Sequence, residues 1–576
     1  MKSEQLPPDS LARAWPAYKA LASIGRRWMT KDALDRLTPF GWRGGLAFIL
    51  AFSFLSFLLC GYYVVYWRNA DMDFMVIYSA LALNDGASRS FFDHPAYLSI
   101  LSVQTWFRLL HELHLLDAWT LSAIPSPSDR SAFDAAMTSA VRAGRILAVL
   151  TASALVLCFA TLARRIVSDN RIATCAAFAF AISGGVQMHM RTLRSEMIAG
   201  CFCILALMIL IIVARRGMVW RPLGLAAAAS LCVLGLENKV HAILLVGALP
   251  ALALPFGTTS SASAPFWRSG STAWPAAAIA ALAAAGGLAL AWPLISKGFD
   301  PAVASAAGLK PLLLGTFGVY QIILLGWIYG CMISFAKLWQ VSIPETVASM
   351  CAVAAGASLS LLALNIQYAP EDPVIVLNPL EKMMVYVDLP DAAGSPLGAF
   401  GLLLSGLIGV LRRYTFILHS SPRPAVFLTW LVIPGIVYAW RHGEKQVTYQ
   451  AGLLMLAAIA IDSLGVRRGL KVEYVVFTDP LIILAGMLLL DRMRHLRFQR
   501  LAFPIGAALI VAHILISQAE PVKIALKRSG PENICDWRHT YMPRLQLPFC
   551  SNTSERTGSN FGFAAIQVSG PAVTAR

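Results

Sequence analysis

Residues 196–213 read EMIAGCFCILALMILIIV, an apolar run whose one charged residue is the glutamate at its start. A bilayer core about 30 Å thick is crossed by about 20 such residues in a helix, so the run predicts a transmembrane helix. Basic residues flank it, with Arg191 and Arg194 before the run and Arg215 and Arg216 after it. Similar apolar runs, separated by charged turns, recur along most of the chain.

The composition extends this prediction to the whole protein. The chain has 576 residues, of which 57% are hydrophobic and 14% charged, and its mean hydropathy is +0.64. These values exclude an ordinary soluble domain and a protein held by a simple anchor. The net charge of +16 comes from basic residues in short turns such as Arg164-Arg165 and Arg412-Arg413, which is the positive-inside pattern. We therefore expect an all-α polytopic membrane protein that does not bind nucleic acid.

Apolar runs between charged turns give fourteen candidate spans, and the alternative count is thirteen. The basic leader 1–45 predicts a cytoplasmic N-terminus, and its polar character argues against a cleavable signal. We expect a transmembrane domain at 46–517 and a tail at 518–576. The candidate spans are 46–66, 143–163, 172–190, 196–213, 222–238, 240–256, 273–293, 313–336, 344–364, 397–411, 424–440, 449–465, 473–490 and 501–517.

Cysteines in the tail favour the odd count. Cys535 and Cys550 lie in a polar segment, where a disulfide fits an oxidising compartment; two free thiols in a cytoplasmic tail are the alternative. The basic turn 491–500 should be cytoplasmic, which places the tail outside. About thirteen crossings satisfy both conditions, and the short run 397–411 is then the first candidate for a re-entrant segment.

The segment 67–142 is too long for a simple connection and should be the first extracytoplasmic loop. It carries eight acidic residues against five arginines. Asp71 and Asp73 follow the first span directly. A carboxylate there can accept a proton from a hydroxyl group or hold a divalent cation, whereas the alternative is a helix cap in a solvated turn. Residues at i and i+2 of a helix diverge, so we expect one of the two to face a shared site.

Further along the loop, residues 91–97 read FFDHPAY and include Asp93, His94 and Tyr97. A lone histidine such as His94 is usually structural. Helix-spaced leucines between Leu98 and Leu116 predict an amphipathic helix on the membrane surface.

These motifs together resemble the GT-C glycosyltransferases, which are polytopic enzymes that use polyprenyl-phosphate sugars. The resemblance rests on the acidic pair, on the aromatic-Asp-His-Pro sequence ending at Pro95, on Arg191–Glu196 and on the turn 236–239, and it covers about the first half of the chain. The relatives are protein O-mannosyltransferases and transferases that add aminoarabinose or galacturonate to lipid A or its core. This chain differs in having Asp-Met-Asp where adjacent acids are commonest, and Ala96 where a second proline is commonest.

The resemblance implies roles for particular residues, and physical chemistry makes those roles sensible. A departing phosphate gains negative charge that guanidinium or ammonium groups stabilise. Snorkelling to headgroups is the alternative for the arginines, and helix packing is the alternative for Asp479. Asp71 or Asp73 would be catalytic. The phosphate and donor site would comprise Arg191, Arg194, Glu196, Lys239 and Lys471. Substrate contacts would come from Asp93, His94, Tyr97, Tyr474 and Asp479.

The expected function is transfer of a sugar, with inversion, from a polyprenyl-phosphate donor to lipid A or its core, a glycan or a protein. The expected location is a bacterial inner membrane, among membrane lipids, with the active site facing the periplasm. Some relatives use Mg²⁺ or Mn²⁺ and others use no metal; Asp71, Asp73 and His94 are the candidate ligands. The alternatives are a lipid or polysaccharide transporter, which should carry internal repeats, and a scaffold without chemistry.

Overall fold

The structure is a computed structural model, and it describes residues 41–69, 73–87, 96–216, 220–258, 273–298, 316–368, 398–415, 426–465, 472–493 and 542–550, with the single residues 508, 512 and 535. These residues form helices and turns, and no strand occurs among them. The α-helices are α1 Gly41–Phe57, α2 Met75–Asn84, α3 Tyr97–Glu112, α4 Arg130–Ile166, α5 Asn170–Ala181, α6 Gly184–Arg191, α7 Ser195–Ala214, α8 Trp220–Asn238, α9 Ala242–Ala253, α10 Ala273–Gly298, α11 Thr316–Leu338, α12 Ile343–Tyr368, α13 Gly398–Thr415, α14 Val426–Arg441, α15 Lys445–Gly465 and α16 Asp479–Met493.

Within the described ranges, five helices are long and apolar enough to cross a membrane, or six if α5 and α6 form one bent span. The five are Gly41–Tyr62, Arg130–Ile166, Ser195–Ala214, Trp274–Pro293 and Ile343–Leu364. Helices also occupy each of the other predicted runs from 222–238 to 473–490. The last predicted span, 501–517, lies outside the described residues apart from 508 and 512. The expected total of about thirteen crossings stays a prediction.

Two predicted spans differ in the structure. α4 begins at Arg130, thirteen positions before the predicted start at 143, because the Asp129 side chain caps it by accepting a hydrogen bond from Ala132 N at 3.0 Å. The predicted span 172–190 is two helices, α5 and α6, that meet at 57°. The break lies at Ser183, whose extended backbone interrupts the helix just before Gly184.

Gly185 lets another segment approach α6 closely. A Cβ at Gly185 would lie 2.7 Å from Val476 N, which is closer than real Cβ contacts come. Val476 belongs to the 3₁₀ segment Val472–Phe477 that precedes α16. A glycine is therefore needed at 185 for this segment to lie against the bent helix pair, which places Glu473 beside the start of α7.

The first loop forms a small hydrophobic core of its own. α2, α3 and the first half of α4 pack around buried side chains such as Phe74, Phe107 and Phe133. Met542 and Leu547 of the tail belong to the same core. The loop and this part of the tail therefore lie on the same side of the bundle.

A disulfide joins Cys535 and Cys550, the pair that the sequence singles out. The bonded tail is also held by a polar contact, because Arg544 N donates a hydrogen bond to the Tyr78 hydroxyl at 3.3 Å. The disulfide thus closes the segment that packs on the loop core.

The amphipathic helix of the loop is present as α3, and it contacts the protein through a different face from the predicted leucine stripe. Ile100, Val103 and Phe107 are buried, whereas Leu109 and Leu113 are 49% and 56% exposed. Its outward leucines are available to a lipid surface.

Candidate functional site

A cluster of buried charges lies where α7 begins and α8 ends. Glu196, in the first turn of α7, is fully buried, and its Oε1 lies 2.9 Å from Lys239 Nζ. Arg194, just before α7, places its Nε 3.5 Å from the other oxygen of Glu196. The Glu196 carboxylate therefore joins two cationic side chains, one that precedes α7 and one that follows α8.

Arg194 also reaches a second carboxylate. Its Nη2 lies 3.5 Å from Glu473 Oε1, and the Glu473 carbonyl oxygen lies 3.0 Å from His189 Nε2. His189 is in α6, and Glu473 is in the 3₁₀ segment that packs closely against Gly185. The bend between α5 and α6 therefore positions the residues on this side of the cluster. The two cations and the two carboxylates balance in charge.

Asn238 connects the cluster to the first loop. Its Nδ2 donates to Ser195 O at 2.7 Å, and its Oδ1 accepts from Ser99 N at 3.1 Å. Its backbone oxygen accepts from Ala96 N at 3.1 Å. The start of α3 is thereby fixed against α7 and α8, one residue away from Lys239.

Two aromatic rings stand beside the Lys239 ammonium group. The rings of His241 and Tyr474 stack with centroids 4.4 Å apart, and Lys239 Nζ lies 6.0 Å from the Tyr474 ring centroid. Both aromatic residues are half-buried. Aromatic side chains present a large apolar surface, so this pair is a candidate contact for the apolar face of a sugar.

Asp73 occupies a different environment from the one expected of a catalytic base. It is fully buried, and its Oδ2 accepts a hydrogen bond from Arg145 Nε at 2.8 Å while Oδ1 accepts from Leu193 N. The guanidinium of Arg145 also donates to the carbonyl oxygens of Gly61 and Val64, at the π-helical end of the first span. Asp73 therefore fixes the exit of the first span, and both of its oxygens are occupied.

Arg191 is directed toward the first span. Its Nη2 donates to Ser56 Oγ at 2.5 Å and to Gln187 Oε1 at 3.2 Å. Its backbone also packs against Gly61, since a Cβ there would lie 3.1 Å from Arg191 Cα. Of the four cations predicted for the phosphate site, Lys471 lies outside the described residues. The structure brings Arg194 and Lys239 onto Glu196, and the contacts described for Arg191 join α6 to α1.

Tyr97 and Asp479 are core residues in this structure. Tyr97 is 1% exposed and packs with Leu364 and neighbouring side chains of α8. Asp479 is fully buried at the first position of α16, where the helix dipole favours a carboxylate. Asp71, Asp93, His94 and Lys471 lie outside the described residues.

The site residues predicted from the sequence do not include His189, His241, Glu473 or Asn238. Their positions in the sequence could have indicated them, because each stands at the end of an apolar helix or in a short break. A buried polar group in such a place usually has a structural or a chemical role. The pairing of Glu473 with Arg194 depends on the bend at Ser183, which the apolar pattern of 172–190 does not reveal.

No group of three or more His, Cys, Asp or Glu side chains able to hold a metal ion occurs in the described part of the chain. Of the three predicted ligands, Asp73 is the one the structure describes, and its oxygens already bind Arg145 and the Leu193 amide. It does not fit a metal-ligand role in this arrangement.

Neither a protein-family profile nor a curated protein sequence matches the chain. Two solved structures of an oligosaccharyltransferase from Archaeoglobus fulgidus are similar to it. The apo form has 12% identity and a TM-score of 0.43, covering 85% of this chain and 57% of that one. The complex of AglB with an inhibitory peptide and a dolichol-phosphate has 12% identity and a TM-score of 0.40, covering 84% and 56%. This chain thus spans a little over half the length of each.

Proposed function

We propose that the protein is a membrane glycosyltransferase of the GT-C type, which transfers a sugar from a polyprenyl-phosphate donor to a hydroxyl group of an envelope acceptor with inversion at the anomeric carbon. The observation that carries the proposal is the buried meeting of Arg194 and Lys239 on Glu196, at the ends of apolar helices and next to the loop helix α3. Buried ionisable groups in such positions are costly, and they mark functional sites by default.

The charge change of the reaction matches this cluster. A sugar linked to a polyprenyl phosphate is a phosphodiester with one negative charge, and the phosphate monoester that leaves carries up to two. Arg194 is the more accessible cation, with 9% of its side chain exposed against 2% for Lys239. In the proposal the donor phosphate displaces Glu473 from Arg194. The Lys239 ammonium group, held 2.9 Å from Glu196, adds a second positive charge beside the phosphate.

The chemical step is a single displacement. The acceptor oxygen attacks the anomeric carbon, the bond from that carbon to the phosphate oxygen breaks, and the phosphate leaves with the electron pair. A carboxylate takes the hydroxyl proton. Since both oxygens of Asp73 are occupied, we assign this role to Asp71, with Asp73 positioning the segment through Arg145. In this proposal the His241–Tyr474 pair receives the sugar, Lys471 assists the phosphate, and Asp93 and His94 contact substrate.

The proposed site faces the outside of a bacterial inner membrane. Packing of the disulfide-closed tail on the loop core supports this orientation, because disulfides persist in oxidising compartments. The acceptor is lipid A or its core, a glycan or a protein.

The test is mass spectrometry of envelope glycolipids, glycans and proteins from cells with and without the protein. We expect one acceptor species to lose the mass of a sugar when the protein is absent. Cells producing Arg194→Gln should show the same loss. An unchanged set of covalent masses, with a lipid-linked intermediate accumulating on one side of the membrane, would instead identify a transporter.

A further inference from the structure

A large apolar groove lies between α7, α8, α9, α11 and α12, and its lining residues are distinct from those of the proposed active site. Its volume is about 310 Å³, within the range of sites that hold small molecules. Along α8 it extends from Arg221 to Leu236, which corresponds to about 22 Å of helix. Its middle is lined by small or apolar side chains such as Ala229, Cys232 and Val353. A long hydrocarbon chain fits this shape.

One end of the groove has a defined polar character. Arg221 lines it, and its guanidinium donates to Glu345 Oε1 at 2.5 Å through Nη1 and to Arg216 O at 2.7 Å through Nη2. Arg221 Nε is buried and has no hydrogen-bond partner among the described residues. Ser349 also lines the groove one turn beyond Glu345 on α12, and its buried hydroxyl likewise lacks a partner in the described ranges. Two donors are therefore available at this end.

Buried donors without acceptors are costly, so their placement in one groove indicates a ligand with acceptor oxygens. Arg221 and Glu345 cancel each other in charge, which favours a neutral acceptor over a phosphate. The ester carbonyl of a phospholipid meets this requirement and is attached directly to an acyl chain.

The same end carries residues that are typical of a membrane interface. Trp220, at the first position of α8, is 59% exposed, and the Arg216 guanidinium lies 5.8 Å from its ring centroid. Exposed tryptophan beside arginine is typical of the headgroup region. An ester carbonyl at Arg221 would therefore have its own headgroup at the height of Trp220.

We propose that this groove is a phospholipid site, in which one acyl chain lies along α8 and its ester carbonyl accepts hydrogen bonds from Arg221 Nε and Ser349 Oγ. The polar end is at the start of α8, whereas Lys239 follows the end of that helix, so the lipid enters from the leaflet opposite the charged cluster. The site is independent of the proposed sugar transfer.

The test is native mass spectrometry of the full-length protein released from nanodiscs that contain dioleoyl phosphatidylethanolamine and undecaprenyl phosphate in equal amounts. We expect the wild-type protein to retain one phosphatidylethanolamine. Ala229→Trp fills the groove and should lower retention at least tenfold. Ala227→Trp is the matched control, because residue 227 is two positions earlier on α8 and exposed, and it should retain the lipid.

Ser349→Ala gives a second measurement that does not depend on tolerance of a tryptophan. Loss of one hydrogen bond to the ester should lower retention by about threefold to tenfold. Retention of undecaprenyl phosphate in place of phosphatidylethanolamine would overturn the assignment of the lipid. Equal phosphatidylethanolamine retention by the wild type, Ala229→Trp and Ser349→Ala would overturn the site itself.

Discussion

Lys239 Nζ lies 2.9 Å from Glu196 Oε1, and both side chains are almost completely removed from solvent. This pair joins the end of α8 to the start of α7, so it is both a structural bond and the centre of the proposed phosphate site. Removing one partner leaves a buried charge, which typically costs about 3–5 kcal/mol. The effect of a single substitution on sugar transfer therefore cannot be separated from its effect on stability.

A double substitution separates the two effects. Lys239→Met alone should lower the thermal unfolding temperature in detergent, because Glu196 loses its closest cation. Lys239→Met with Glu196→Gln removes both charges and should recover most of that loss. Sugar transfer should stay at least about 100-fold below wild type in both variants, since the developing phosphate charge then meets Arg194 without the Lys239 ammonium group. Recovery of transfer together with stability would assign the pair a structural role alone.

Substitutions of Asp73 and of Asp71 should affect different properties, stability for Asp73 and sugar transfer for Asp71. Asp73→Asn breaks the buried pair with Arg145 and should destabilise the protein by about 3–5 kcal/mol, measured as a lower unfolding temperature. Arg145→Met should have the same effect, because it leaves the carboxylate unpaired.

Asp71→Asn should leave the unfolding temperature near the wild-type value and reduce sugar transfer by about two to four orders of magnitude, as expected for loss of a general base. Donor binding, measured with a polyprenyl-phosphate sugar, should be retained. Transfer at the wild-type rate in Asp71→Asn would remove Asp71 from the proposed mechanism.

The apolar pattern of the sequence predicts where the helices lie, because a bilayer requires long apolar runs with satisfied backbone groups. The run 196–213 corresponds almost residue for residue to α7. The apolar pattern does not predict which polar side chains pair with each other. The partner of Asp73 is Arg145, which is 72 positions away in an apolar run. Arg194 pairs with Glu473, which follows nine further predicted spans. Such pairs depend on helix packing, which periodicity does not encode.

Gly185 should be the glycine on which the Glu473 side of the cluster depends. Gly185→Ala places a Cβ 2.7 Å from Val476 N, and the segment Val472–Phe477 must then move away from α6. We expect the free energy of unfolding to fall by about 1–3 kcal/mol, as for an overpacked core. Donor binding should weaken, because Tyr474, the proposed sugar contact, lies on the same segment and moves with it. Gly452→Ala is the control, since a Cβ there meets nothing within 4 Å and a helical alanine is favourable. Equal behaviour of the two variants would show that the close approach is not required.

The disulfide should stabilise the loop core through the tail. Cys535 and Cys550 are separated by 15 positions, and closure of a loop of that length contributes about 3 kcal/mol in the chain-entropy account. The closed segment supplies Met542 and Leu547 to the core that also holds Phe74 and Phe107. Cys535→Ser with Cys550→Ser should therefore make the tail and α3 more sensitive to limited proteolysis.

The matched measurement is reduction of the wild-type protein with a thiol reagent, which should produce the same proteolytic pattern without any substitution. Cys158→Ser is the control, because that cysteine is exposed and unbonded. Transfer should fall less than in the Lys239 variants, because the tail residues Met542 and Leu547 pack on the loop core and are uncharged. A tail that stays protease-resistant after reduction would show that Met542 and Leu547 hold it by packing alone.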